Sequence, residues 1–195
     1  RVSIDVTGTI PTEQEVRDFL ADKDPAKRDK LVDRLLDSDA YADYFANKWN
    51  LVLRNKKRQP IDTEGTYAFY QWIRSALYEN KPYDQFVREI LTASGDLNFS
   101  PATVWYREVD QVEEQVEDTA QLFLGVRMQC AKCRNHPFER GTQDDYYGMA
   151  AWFARVKQKP LEGKAAGANA EVVYVARAGD VTQPRTGKPM APRYP

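Results

Sequence analysis

The stretch Ser38-Asp-Ala-Tyr-Ala-Asp-Tyr-Phe-Ala-Asn-Lys-Trp-Asn-Leu-Val-Leu53 decides the fold class of this chain. Its large apolar side chains include Tyr41, Phe45, Trp49 and Leu53. Residues at this spacing follow one another along one face of an α-helix. Ser38 stands where an N-cap residue accepts a hydrogen bond from the first turn. Segments of the same kind recur along the sequence, so we predict a mainly α protein.

Helices on both sides of this stretch are predicted from start signals and apolar faces. Thr12 and Glu15 have the spacing of a capping box, in which each side chain satisfies a backbone N–H of the first turn. Val112–Met128 is predicted as one long helix that leads to the cysteines, with acidic residues at its positive end. Other helices are expected after Asp24, over Thr66–Tyr78, after Asp84 and after Thr142. Together they predict an irregular bundle of about six or seven helices.

The C-terminal part of the sequence is predicted to be an appendage rather than a separate domain. We expect a helical domain over residues 1–158, then a linker, a short β-hairpin and an extended proline-rich tail over 159–195. Glu171–Arg177 is rich in β-branched residues and is predicted as a strand, with Val181–Gln183 returning beside it. From Arg155 onward there are eight Lys and Arg against three Asp and Glu. We expect a solvated basic arm, with docking on an acidic partner as the alternative.

Size and composition narrow the class of protein. The chain has 195 residues, enough for one domain with a substantial core. No apolar run approaches the roughly 20 residues needed to cross a bilayer, so no transmembrane segment is predicted. The net charge of −1 argues against a nucleic-acid-binding protein.

Both cysteines and the single histidine of the chain lie within Cys130–His136. The segment resembles the c-type haem attachment motif C-x-x-C-H, but Arg134 follows the second cysteine. A guanidinium stays protonated and has no lone pair to give to iron, so Arg134 cannot act as the proximal ligand. We therefore favour zinc, or no cofactor, over covalent haem.

Other uses of the cysteine segment remain open. Cys130, Cys133 and His136 can share a tetrahedral zinc ion, with water or a nearby carboxylate as fourth ligand. The candidate carboxylates are Asp144, Asp145 and Glu139. The two cysteines can instead form a structural disulfide or a dithiol redox pair. They can also be free core cysteines beside a hydrogen-bonded histidine.

An enzyme that acts on a polysaccharide is the alternative of a different class. Retaining glycosidases place two carboxylates about 5 Å apart, and Glu114 and Glu117 lie one helical turn apart. Trp72, Trp105 and Tyr147 are available to line an aromatic cleft. The sequence contains no G-x-S-x-G, P-loop or H-E-x-x-H motif, so we lean away from an enzyme.

Several motifs in a fixed order resemble one family. They are Arg1-Val-Ser-Ile-Asp-Val-Thr-Gly-Thr-Ile-Pro-Thr12, Glu79-Asn-Lys-Pro-Tyr-Asp-Gln-Phe-Val87, Leu122-Phe-Leu-Gly-Val-Arg127, Cys130-Ala-Lys-Cys133, His136-Pro-Phe-Glu-Arg140, Thr142-Gln-Asp-Asp-Tyr-Tyr-Gly148 and Pro184-Arg-Thr-Gly-Lys-Pro189. Over nearly the whole chain, they resemble the planctomycete cytochrome C-associated domain of unknown function.

The resemblance implies an exported protein of the periplasm or cell envelope, with no firmly assigned activity. It also implies a longer chain whose other domains are the partners, with a cytochrome-c-like domain upstream. Family members commonly carry C-x-x-C-H-x-H-P. Cys130, Cys133 and His136 match this pattern, whereas Arg134 replaces its first histidine.

We therefore predict a module of a larger exported envelope protein, non-catalytic or redox-accessory, built around the C-x-x-C-x-x-H segment. The alternatives are an enzyme domain acting on an envelope or polysaccharide substrate, and a c-type haem electron-transfer domain. Arg134 argues against the second alternative because it removes the iron ligand that the haem motif supplies.

Overall fold

The computed structural model of the chain describes residues 1–56, 63–96, 99–138, 140–160 and 171–194. Within these ranges the main elements are nine α-helices and three short strands. The helices are α1 (Val2–Thr7), α2 (Glu13–Ala21), α3 (Lys27–Leu36), α4 (Asp39–Val52), α5 (Thr63–Tyr78), α6 (Tyr83–Leu91), α7 (Val104–Glu108), α8 (Val112–Asp118) and α9 (Gln143–Phe153). The mainly α fold predicted from the sequence is confirmed. Among the described helices, none is long and apolar enough to cross a membrane.

Helices α4 and α5 pack against each other at the centre of the fold. As predicted, Ser38 caps α4, accepting a hydrogen bond from the backbone N–H of Tyr41. The buried residues within α4 are small, however: Ala42 and Ala46 are fully buried, whereas Tyr41 is only partly buried. Small side chains on α4 leave space at the contact with α5. Phe69 of α5 packs in the same core cluster as Ala46.

An aromatic cluster joins α4, α5 and α6. The ring centroids of Trp72 and Phe86 lie 5.1 Å apart in a stacked arrangement, and Trp49 meets Phe86 edge-on at 5.2 Å. Aromatic pairs at these separations add about 0.5–1.5 kcal/mol beyond their area burial. The cluster fixes the three helices that support the remaining, less regular half of the chain.

The predicted helix Val112–Met128 is wrong in its second half. Helix α8 ends at Asp118 and continues as a π-helical turn over Thr119–Phe123. Gly125 then adopts a left-handed conformation with φ 69°, and the backbone N–H of Val126 reaches back to the carbonyl of Ala120 at 3.0 Å. Glycine adopts positive φ without steric cost, so the helix stops here and the chain turns before it reaches the cysteines.

The small sheet joins parts of the chain that are distant in sequence. Its strands are β1 (Gly95–Asp96), β2 (Val156–Pro160) and β3 (Glu171–Val175), in the antiparallel order β1-β3-β2. The strand predicted at 171–177 is therefore confirmed over Glu171–Val175. Its predicted return strand, Val181–Gln183, is wrong, because β2 and β1 occupy the two edges of β3. Residues 161–170, the predicted linker, lie outside the described ranges.

Candidate functional site

The cysteine segment is a short 3₁₀ turn with its thiols on the outside. The turn covers Gln129–Lys132, and Cys133 ends it. Met128 and Ala131 are buried in the core, whereas Cys130 and Cys133 are both exposed. A 3₁₀ helix repeats every three residues, so the two cysteines lie on the same side of the turn. The interpretation as buried core cysteines is therefore wrong.

Both thiols are free in this structure. A disulfide between Cys130 and Cys133 remains a prediction. Three residues of 3₁₀ helix advance by about 6 Å along the axis. Disulfide-linked cysteines usually have Cα atoms about 4.4–6.8 Å apart, so the turn needs little rearrangement to close the bond.

His136 lies in the loop that follows the turn. Its backbone N–H donates to the carbonyl of Gly141 at 2.8 Å. Its ring Nδ1 accepts a hydrogen bond from the backbone N–H of Phe138 at 3.2 Å. Nδ1 is thus used within the loop, and Nε2 is the ring nitrogen that a metal would have to bind.

The carboxylates proposed as further metal ligands are separated by the fold. Asp144 lines a cleft together with Cys133. Asp145 accepts instead from Thr142, whose Oγ1 is 2.6 Å away, and from the guanidinium of Arg193 at 2.5 Å. Glu139 lies outside the described residues. In the described part of the chain, no group of three or more His, Cys, Asp and Glu side chains is placed to hold a metal ion.

Covalent haem does not fit the residues present. Arg134 occupies the position of the proximal histidine and is exposed, with no lone pair to donate. Three other soft or phenolic side chains near the turn are buried in the core: Met128, Met149 and Tyr146. The residue directly after the second cysteine therefore supplies no iron ligand, and that is the position the haem motif uses.

A cleft of about 500 Å³ opens next to the second cysteine. One wall is the end of the turn, with Cys133, Arg134 and Asn135, and the other is the start of α9, from Thr142 to Asp144. Arg185, more than forty residues further along the chain, completes the lining. Its Nη2 is 4.0 Å from Asp144 Oδ1, and its side chain is largely exposed. Two arginines and one cysteine therefore line the same cleft.

Two glutamines hold this cleft together. Gln143 donates from Nε2 to the carbonyl of Lys132 at 2.9 Å, which ties α9 to the cysteine turn. Gln183 is only 1% exposed, and its Nε2 donates at 3.1 Å to both Gln143 Oε1 and Asp144 Oδ1. Its Oε1 accepts from the backbone N–H of Arg185 at 2.6 Å and of Thr186 at 2.8 Å. Every hydrogen-bonding atom of the Gln183 amide is therefore used to fix the Arg185 turn at the cleft.

Gln183 and Arg185 are site residues that the sequence does not indicate. The motif Pro184-Arg-Thr-Gly-Lys-Pro189 contains the turn glycine Gly187, which takes φ 69°. Its prolines predict an extended tail, and nothing local to the motif indicates contact with α9. Part of the predicted basic arm is thus bound within the molecule, while its docking on an acidic partner remains a prediction.

The tail also crosses α9 beyond the turn. The backbone N–H of Arg193 donates to the carbonyl of Gly148 at 3.1 Å, and Trp152 Nε1 donates to the carbonyl of Arg193 at 3.3 Å. Burial raises the pKa of Asp145, but hydrogen bonds from Thr142 and the positive charge of Arg193 outweigh it, so the pKa lies below its usual value. The carboxylate that caps α9 is therefore held ionised mainly by Thr142, and Arg193 of the tail adds to the effect.

Helix α8 provides an acidic flank next to the turn. Lys132 Nζ lies 3.5 Å from Glu113 Oε1. Burial raises the pKa of Tyr147, the charge of Lys132 lowers it, and interactions with Cys133 and Glu113 raise it. The surroundings of the second thiol therefore combine cations with a phenol and a carboxylate.

The aromatic cleft imagined for a polysaccharide enzyme is not formed as predicted. Trp105 is fully buried in the core, so it cannot line an open cleft. Glu117 Oε1 accepts a hydrogen bond from the hydroxyl of Tyr146, also fully buried, at 3.3 Å. Trp72 lies in the aromatic cluster between α5 and α6. Trp72 also lines an open cleft together with Glu89 and Phe99, so the enzyme alternative stays a prediction.

Comparison with known proteins gives a family and no activity. A family model, PSCyt2, described as "Protein of unknown function (DUF1549)", matches residues 1–158. This agrees with the resemblance noted in the sequence. No curated protein and no solved structure gives a significant match.

Proposed function

We propose that this chain, which belongs to the DUF1549 (PSCyt2) family of proteins of unknown function, is a thiol–disulfide exchange module of a larger exported protein. The observation that carries the proposal is the pair of exposed thiols on one 3₁₀ turn, Cys130 and Cys133. Solvent access is what distinguishes reactive cysteines from inert buried ones. Disulfides form and persist in the oxidising compartments outside the cytosol, so thiol–disulfide exchange is consistent with an envelope location.

The cleft assigns different roles to the two cysteines. Cys133 lines it and Cys130 is not among the lining residues. A partner that enters the cleft therefore meets Cys133 first. The guanidinium groups of Arg134 and Arg185 favour a partner with a carboxylate near its reactive sulfur, because opposite charges attract and steer encounter.

The exchange involves two cysteine pairs, Cys130 with Cys133 and the disulfide of the partner, and it needs no further oxidant or reductant. The Cys133 thiolate attacks one sulfur of a partner disulfide, forms a mixed disulfide and expels the other partner sulfur as a thiolate. The Cys130 thiolate then attacks Cys133 and expels the remaining partner thiolate. The module ends as the Cys130–Cys133 disulfide and the partner as a dithiol, a transfer of two electrons. Running the steps backwards oxidises the partner.

The test uses the single-cysteine variants as matched controls. Reduced protein is mixed with oxidised glutathione, whose carboxylates suit the cationic cleft, and the products are weighed by mass spectrometry. We expect the wild type to form the intramolecular disulfide, with a reduction potential above about −300 mV, the range of labile disulfides. Cys130→Ser should accumulate a glutathione adduct on Cys133, and Cys133→Ser should react at least several-fold more slowly.

Four results would contradict the proposal. Equal reactivity of the two variants would refute the role of the cleft, and absence of an intramolecular disulfide would refute the exchange mechanism. Stoichiometric zinc that is lost in Cys133→Ser would favour the metal site. A haem absorption band that survives denaturation of exported protein would show covalent haem, against the argument from Arg134.

A further inference from the structure

The first three helices carry apolar faces that the fold does not cover. Helices α2 and α3 contain no buried residue, and the main core cluster begins only at Ala46 in α4. On α2, Val16 is 42% exposed and Leu20 is 73% exposed. Isolated helices of nine or ten residues are marginal in water, and most helical stability comes from packing of an amphipathic face. These exposed apolar faces are therefore suited to pack against a partner.

The exposed faces form a groove between α1, α2 and α3. Its volume is about 340 Å³. The apolar residues that line it include Val2, Val16, Phe19, Leu20, Leu31 and Leu35. A groove walled by two amphipathic helices receives a third helix by the same ridge-and-groove packing that holds bundles together. The nine residues of α2 span about 14 Å at 1.5 Å per residue, the length of two to three helical turns.

The rim of the groove is positively charged. Arg28 and Arg34 both line it and are both exposed, and the charge of Arg34 also acts on the nearby carboxylate of Glu15. Arg1 lines it as well, but its Nε is held by Asp5 at 2.8 Å. The carboxylate among the described lining residues is Glu15, whose Oε2 accepts from the N–H and the hydroxyl of Thr12 in the capping box.

We propose that this groove binds an amphipathic helix whose apolar stripe is flanked by Asp or Glu. Such a helix fills the groove with its apolar side chains, and its carboxylates pair with Arg28 and Arg34. A second copy of the chain is disfavoured, since a two-fold interface brings the same surface of both copies together and would set these arginines against each other. The proposal concerns a surface separate from the cysteine turn and does not depend on thiol chemistry.

Synthetic peptides provide the test. Two 18-residue peptides carry Leu at i, i+3, i+4 and i+7; one has Glu beside the stripe and the other has Lys. A third peptide is a scramble of the Glu peptide. Binding to the 195-residue chain is measured by fluorescence anisotropy at low salt. We expect the Glu peptide to bind at least tenfold more tightly than the Lys peptide, and the scramble not to bind. In Arg28→Glu/Arg34→Glu the order of the two helical peptides should reverse.

Matched apolar variants distinguish binding in the groove from non-specific hydrophobic binding elsewhere on the surface. Leu20→Ser should weaken the Glu peptide at least tenfold. Leu51→Ser, at a residue 79% exposed on α4, should leave its affinity unchanged. Both side chains are exposed, so both variants should melt like the wild type. Equal binding of Glu and Lys peptides, equal effects of the two serine variants, or a Leu20-dependent dimer in sedimentation would each overturn the proposal.

Discussion

Replacing Gly148 by alanine tests how the C-terminal tail is held on α9. A Cβ at Gly148 would lie well inside van der Waals contact with Cγ of Arg193 and 2.9 Å from its Cδ. The Cβ of Arg193 itself is 3.5 Å away, an ordinary contact. The clash therefore involves the arginine side chain beyond Cβ, and an alanine at position 193 would remove it while the tail backbone stays in place.

The magnitude follows from what the displaced arginine gives up. Hydrogen bonds to charged groups contribute about 1.5–3 kcal/mol when buried. The ion pair with Asp145 lies toward the lower end, because the Arg193 side chain is about half exposed. Moving the tail also weakens the backbone contact with Gly148 and the bond from Trp152, at about 0.5–1.5 kcal/mol each. Against this loss, alanine gains about 1 kcal/mol of helix propensity over glycine.

We expect Gly148→Ala to destabilise the wild type by about 1–3 kcal/mol and to stabilise Arg193→Ala by up to about 1 kcal/mol. The sign change is read from urea unfolding at pH 7 by tryptophan fluorescence, in a double-mutant cycle. Arg185→Ala, which removes another tail arginine, serves as the control background and should leave the effect of Gly148→Ala unchanged. The same change in stability in the wild type and in Arg193→Ala would refute the steric argument.

Two further predictions concern other parts of the fold. Burial raises the pKa of Asp118, although the nearby positive charge of Arg54 lowers it. A carboxyl with a raised folded pKa binds its proton more tightly in the folded state, so this group's contribution to stability should fall as pH rises from about 4 through that pKa. Asp118→Asn should therefore gain stability relative to the wild type over that window, and a relative loss in urea titrations at several pH values would contradict it. Gly8 has φ 71°, and a Cβ there would lie 2.5 Å from Tyr44 Cε2. Gly8→Ala should cost at least about 1 kcal/mol; Gly8→Ala in a Tyr44→Ala background should cost less, and equal costs would exclude the ring contact.

Most helices of this protein could be predicted because their signals are local. Thr12 with Glu15 forms the capping box expected from the sequence, and Thr142 caps α9 in the same way with Asp145. A cap needs only side chains three residues apart, and an apolar face needs only a period of 3.6. Helix α1 was not predicted, because its six residues have no side-chain cap on Arg1 to mark their start.

The end of α8 depends on a local turn at Gly125, whereas the other failures depend on distant contacts. The π-helical turn after α8 changed the path into the cysteine segment, although Val112–Phe123 has a continuous helical pattern. Strand β3 pairs with β2 and β1 rather than with the segment after its turn, because strand propensity does not specify a partner. Gln183 was predicted at the end of the return strand Val181–Gln183, whereas its side chain is buried at the cleft.

The amino-acid sequence alone determined the helical fold class, the family, and the small set of residues able to do thiol or ligand chemistry. Side-chain chemistry and short-range periodicity are properties of the chain itself, so they can be read without coordinates. Only the tertiary structure decided that Cys130 and Cys133 face solvent, that Asp145 pairs with Arg193 of the tail, and that Arg185 lines the cleft. Those outcomes depend on which distant segments pack together, and burial is settled by that packing rather than by any local pattern.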